Sequence, residues 1–153
     1  MKIIVMIMFM LSFLNAEELK IKSDTVQADQ NTNVSIFEGN VHVQKGKDKL
    51  QSSKLTIHLD KKNKPLKFIA EGKAFFELVA QNGSKYSGKA EKVVYLPNIK
   101  EYHFFTNVHL KQLDEKKEIL GEEVILQLKV GKAFAKGASK GPVIMIFELP
   151  EEK

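Results

Sequence analysis

The chain has 153 residues, 43% of them hydrophobic and 28% charged, with no Cys and no Trp. That is one domain's worth of material with enough apolar mass for a core, and too little Gly and Pro for a low-complexity chain. The missing Cys excludes disulfide scaffolds, thiol nucleophiles and Cys-ligated metal centres. All 24 basic residues are Lys, so the formal charge of +5 comes without the planar Arg fork that reads guanine edges and clamps phosphates.

The N-terminus has its own composition. Lys2 precedes an apolar run, Ile3 to Leu14, broken only by Ser12, and Asn15-Ala16 then leads into Glu17-Glu18. As a helix this run would reach roughly 18 Å, short of the ~30 Å hydrocarbon core of a bilayer. The pattern is that of a cleavable signal peptide over residues 1–16, cut after Ala16, which predicts an exported protein; an uncleaved anchor and a buried strand are the alternatives. The mature domain then spans 17–150, with a frayed tail over 151–153.

Beyond the leader the dominant period is two. In chain order the expected strands are Ile21 to Ala28, Ile36 to Val43, Lys54 to Leu59, Ile69 to Phe76, Lys92 to Leu96, His103 to Leu110, Glu123 to Leu128 and Val143 to Leu149. Polar turns separate many of them, such as Lys45-Gly46-Lys47-Asp48 and Gln81-Asn82-Gly83-Ser84. Short alternating runs at regular spacing predict an all-β sandwich or barrel-like fold. Leu110, Leu113, Leu120, Val124 and Leu128 also fit one helical face, but Gly121 favours a hairpin.

The chain repeats itself. Ile36-Phe37-Glu38-Gly39-Asn40-Val41 recurs as Ile69-Ala70-Glu71-Gly72-Lys73-Ala74, and more weakly as His103-Phe104-Phe105-Thr106-Asn107-Val108. Each copy precedes a partner strand, giving a two-stranded unit of about 33 residues that cannot bury its apolar face alone. Val34 and Ile36 are even-numbered and Val41 and Val43 odd-numbered, so Gly39, and likewise Gly72, is expected at a bulge or corner that restores the inward face.

These residues resemble a known family. Phe37-Glu38-Gly39-Asn40-Val41-His42-Val43-Gln44-Lys45-Gly46, followed by Leu50-Gln51-Ser52-Ser53-Lys54-Leu55-Thr56-Ile57, is similar to the pattern f-x-G-N-V-x-v-x-q-G…L-x-A-d-x-l-x-v of the LptA/OstA family of periplasmic lipopolysaccharide-transport proteins. The match continues through Ser87-Gly88-Lys89-Ala90-Glu91 to Gly121-Glu122-Glu123-Val124. Lys73 stands where the family has its second Asn, and Thr106 where it has its third Gly. The resemblance implies a twisted, partly open antiparallel β-jelly roll that holds the acyl chains of lipid A. It further implies stacking, head to tail, on copies and on membrane-anchored and outer-membrane transport components of similar fold.

On that reading, alternation nominates a lipid-binding groove. From the first half of the chain come Ile36, Val41, Val43, Leu55, Ile57 and Leu59, then Ile69, Phe76 and Leu78. The second half supplies Val93, Tyr95, Val108, Leu110, Val124, Leu126, Leu128, Met145 and Phe147, with Val143 beside them. Alternation alone does not separate a lipid-filled interior from a dry core, so a structural or glycan-binding exported β-sandwich stands beside the transport reading. Lys45, Lys47 and Lys49, Lys61, Lys62 and Lys64, and Lys116 and Lys117 cluster at turns, either as phosphate contacts or as solvated loops that guard strand edges. Ile21 to Ala28 and Val143 to Leu149 are candidate edges for backbone pairing, although the second run fits a central buried strand equally well.

Enzyme signals are poor. His42, His58, His103 and His109 lack metal-ligand spacing, no carboxylate pair brackets a reacting bond, and Ser52, Ser53 and Ser139 lack a nucleophile elbow. No cofactor, no metal and no nucleic-acid partner is expected.

Overall fold

The computed structural model describes residues 18–138 and 141–150. The expected signal peptide and the tail 151–153 lie outside the described residues. The strands are β1 (Leu19–Lys22), β2 (Thr25–Asp29), β3 (Val34–Lys45), β4 (Asp48–Leu59), β5 (Pro65–Val79), β6 (Lys85–Leu96), β7 (Glu101–Gln112), β8 (Lys117–Gln127), β9 (Lys132–Lys136) and β10 (Ile144–Phe147). All pair antiparallel in one sheet, in chain order from β3 to β8. Both β1 and β2 pair with β3, and both β9 and β10 with β8, so each edge is two short strands in tandem and the sheet stays unclosed. The stretch with competing helical periodicity is the β7–β8 hairpin.

What turns this meander into a roll is a crease. Midway along β3, β5 and β7, two consecutive residues take left-handed backbone: Gly39 and Asn40 (φ 82° and 46°), Gly72 and Lys73 (82° and 51°), Thr106 and Asn107 (68° and 51°). The ladders shift register at these places, between Glu38 and Val41, Glu71 and Ala74, and Phe105 and Val108. Such bulges bend a strand locally. Because they line up across the sheet, they fold it along a line perpendicular to the strands, and every long strand contributes to two facing leaves. Across the crease Phe76 stacks on Phe104, two strands away, with ring centroids 4.3 Å apart. Small side chains sit at the bend, where Ala74 and Ala90 are paired and buried.

Inner and outer faces follow from register. In the first leaf one inward row runs Phe37, Leu55, Ala70, Val93, Phe104, Val124; in the second leaf another runs Ile21, Val43, Leu50, Phe76, Gly88, Leu110, Ile119, Met145. Ile36 and Ile69 are corrections. Both were expected inward, but they stand in the outer row Ile36, Thr56, Ile69, Val94, while Phe37 and Ala70 pack on the core. The cause is the residue before each Gly. Glu38 and Glu71 join Lys54 and Lys92 in an alternating ladder, Glu38–Lys54–Glu71–Lys92, on the wet face. Opposite-charge neighbours contribute roughly 0.2–1 kcal/mol each, and a one-residue slip would drive all four charges into the core. The strand that changes parity is therefore the partner: Phe37 and Val41 are both odd-numbered, whereas β4 turns both Ser52 and Leu55 inward.

Thr106 is the least suited of the left-handed residues, since its branched Cβ crowds the following carbonyl. Thr106→Gly is expected to stabilise the fold by about 1 kcal/mol, read as a higher urea midpoint at unchanged slope. A lower midpoint would mean that this corner does not share the conformation of the other two.

Candidate functional site

The space between the leaves is the candidate site. Its lining combines buried Val41, Leu55, Ile57, Phe76, Leu78, Val93, Tyr95, Val108, Leu110, Val124, Leu126 and Leu128 with partly buried Val43 and Leu59. Met145 and Phe147 belong to the C-terminal edge strand. They are about half-exposed, opposite Ile119 and Lys117, so the inward rows run out to an open edge there. At the other edge Leu19 and Ile21 play that part.

Sequence alternation missed several lining residues. Phe68, Tyr86, Tyr102 and Phe104 are buried, and Phe68, Tyr102 and Phe104 form an aromatic wall with Tyr95. Tyr95 stacks on Tyr102 at 4.4 Å, and Phe68 and Phe104 lie 5.9 Å from Tyr95 and Tyr102 respectively. Phe104 is ambiguous in sequence because Phe105 follows it. The useful signal is charge, since Lys92 and Glu123 flank Phe105 across the ladder and fix it outward, with the Lys92 ammonium 5.8 Å from its ring.

Gly88 sits in the inner row because nothing larger fits. A Cβ there would lie 2.0 Å from the His109 carbonyl oxygen and 2.9 Å from Phe76 Cζ. Free room in the apolar depth is small, while a wider hollow of about 700 Å³ opens at the rim between Lys45, Asp48, Val79, Ala80, Tyr95 and Leu128. The apolar cleft lined by Val43, Leu50, Leu55, Phe68, Leu78, Val93 and Tyr95 holds about 40 Å³, room for roughly three waters. The leaves touch through side chains alone, for no strand approaches a non-neighbour within 8 Å between Cα atoms among the described residues.

Polar groups gather along the open side, opposite the crease. Lys45 Nζ donates to Tyr95 Oη (3.2 Å) and stands 5.0 Å from the ring centre, while Tyr102 Oη donates to Asp48 Oδ2 (3.3 Å). Asp48 Oδ1 also accepts from the Val79 N–H (3.0 Å). Burial raises the Tyr86 hydroxyl above its ordinary pKa. Of the Lys clusters, only Lys45 and Lys49 line the apolar cleft. Lys61, Lys62 and Lys64 are exposed, and Lys116 pairs with Glu148 at 3.1 Å.

The histidines stand apart from the groove. His103 Nε2 lies 3.0 Å from Glu101 Oε2, and Gln127 Nε2 donates to Glu101 Oε1 at 3.1 Å. These bonds, His103's first, hold the Glu101 carboxyl below its usual range. A depressed folded pKa contributes stability above the ordinary Glu value of about 4.3, and that contribution is lost as pH falls through the folded value. His103→Gln is expected to move the Glu101 titration upward, read by NMR of its side-chain carboxyl. An unmoved titration would remove His103 as the cause. No cluster of His, Asp and Glu capable of holding a metal, and no helix long and apolar enough to span a membrane, occurs among the described residues.

Comparison with known proteins gives the same architecture. The fold is similar to the crystal structure of LptH, the LptA homologous periplasmic component of the lipopolysaccharide transport device of Pseudomonas aeruginosa. The TM-score is 0.76 at 18% identity, covering 87% of this chain and 96% of that one. No curated protein matches the sequence. The family model described as LptA/(LptD N-terminal domain) LPS transport protein matches residues 20–132. With that match spanning most of a creased, unclosed sheet, the chain belongs to the LptA and LptD N-terminal-domain family of lipopolysaccharide-transport proteins.

Proposed function

We propose that this chain is a periplasmic lipopolysaccharide carrier that shields the acyl chains of lipid A between its two leaves and bridges inner- and outer-membrane transport components by edge-to-edge strand pairing. Export by the N-terminal signal peptide, cut after Ala16, supplies the compartment. One observation carries the reading: inward apolar rows run perpendicular to the strands and reach both edges of the sheet, which are unpaired among the described residues. A second copy, or a domain of similar fold, docked on an edge by backbone hydrogen bonds would continue those rows. Transfer of an acyl chain from water into such a lining gains about 0.8 kcal/mol per CH₂, so about a dozen carbons gain on the order of 10 kcal/mol. That retains a lipid, while an unclosed sheet leaves it a way out.

The second reading, an exported structural or glycan-binding domain with a dry core, is favoured by the small free volume of the cleft. The two separate on purification from a lipopolysaccharide-bearing host. The carrier reading expects lipid A in the mass spectrum of the purified protein, and sedimentation that shifts to larger species as concentration rises. A lipid-free monomer at every concentration would favour the dry core.

A further inference from the structure

We propose that Lys45, Asp48, Tyr95 and Tyr102 form a latch that holds the leaves together along the open side of the groove and yields when an anionic glycolipid loads laterally through that side. The inference rests on the carrier reading above.

The four residues come from four different strands. Lys45 and Asp48 flank the β3–β4 turn at the rim of the second leaf, whereas Tyr95 and Tyr102 face each other across β6 and β7 at the rim of the first. Lys45–Tyr95 and Tyr102–Asp48 are therefore bonds between leaves, made across the opening opposite the crease. A third contact lies beside them. The Asn82 amide, held by the Ser84 N–H, presses on Gly131, so that the β5–β6 turn of one leaf meets the β8–β9 turn of the other.

Behind this polar rim lies the apolar cleft, which all four residues help to line. A glycolipid has a large hydrated head that cannot pass through a hydrocarbon interior without losing its water. If its acyl chains run between the leaves, the head must protrude from the open side, and the rim bonds must part wherever it passes. Polar bonds suit that task. Water replaces much of each bond, so each is worth only a factor of about ten in an equilibrium, while the bulged crease remains as the hinge. Lys45 stands at the rim where an anionic head group would lie.

The test is the rate at which the purified protein takes up lipopolysaccharide labelled with a fluorophore on its sugar. Tyr95→Phe and Tyr102→Phe keep ring and volume but remove the hydroxyl; each is expected to speed association about tenfold, and the double variant more than either. Asp48→Asn, which retains an acceptor for Val79 but replaces the charged partner of Tyr102 by a neutral amide, weakens that bond and reads the same step should a Tyr variant fail to fold. If the parent protein binds and all these variants bind no faster, lipid loads through the sheet edges; the latch is then wrong and the carrier reading survives. If the parent protein takes up no lipopolysaccharide, both fall together.

Discussion

Phe104→Ala is expected to lower the unfolding free energy by about 3–5 kcal/mol, whereas Phe105→Ala, one residue on, should cost about 1 kcal/mol. Phe104 is fully buried, stacks on Phe76 across the crease and lies between Val93 and Val124 of the neighbouring strands. Its loss leaves a cavity at the point where both leaves meet, and the aligned bulges limit how far the leaves can collapse into it. Phe105 faces water under Lys92 and loses one cation–π contact with modest area. Urea unfolding of both variants checks the assignment. Equal losses would mean that β7 does not present one face to each side as its register requires.

The crease itself carries the second large effect. Gly72→Ala is expected to cost about 3 kcal/mol, from a left-handed backbone worth about 1–2 kcal/mol and overpacking of about 1–3 kcal/mol. At φ 82° an added Cβ would lie 2.7 Å from both Cβ and Oγ of Ser53, and that hydroxyl already donates to the Gly72 carbonyl at 3.1 Å. Gly83 provides the control. It has a similar φ of 87° but nothing within 4 Å of an added Cβ, so Gly83→Ala should show the conformational cost alone. If both variants lose the same amount, the close approach at the crease contributes nothing and the corner is set by dihedral preference only.

Much of this architecture was legible in the residues themselves. Period-two runs, the repeated Glu-Gly step and the polar turns give an all-β fold of two-stranded units, because each is a local consequence of backbone geometry. The side of a strand on which Ile36 and Ile69 fall was not legible from hydrophobicity, since Ile36 and Phe37 are both apolar and adjacent. The charges of Glu38 and Glu71 decide it, but only through Lys54 and Lys92 on neighbouring strands. Thr106 hides the third corner for a similar reason: it adopts glycine-like backbone because its copies on β3 and β5 impose the crease. The rim cluster was out of reach altogether. Lys45 and Tyr95 lie 50 residues apart, and nothing local to either marks the other as its partner.

The central claim is that the interior accepts acyl chains, and β5 offers a direct test in two neighbouring Phe residues. Phe76 points inward and is 3% exposed, while Phe75 points outward and is 53% exposed. A photo-crosslinking phenylalanine analogue at each position, irradiated in cells that make lipopolysaccharide, makes the same chemical change on opposite faces of one strand. The expected result is a lipopolysaccharide adduct at position 76 and none at 75. No adduct at 76 from a folded protein, or equal labelling at both positions, would contradict an acyl-binding interior.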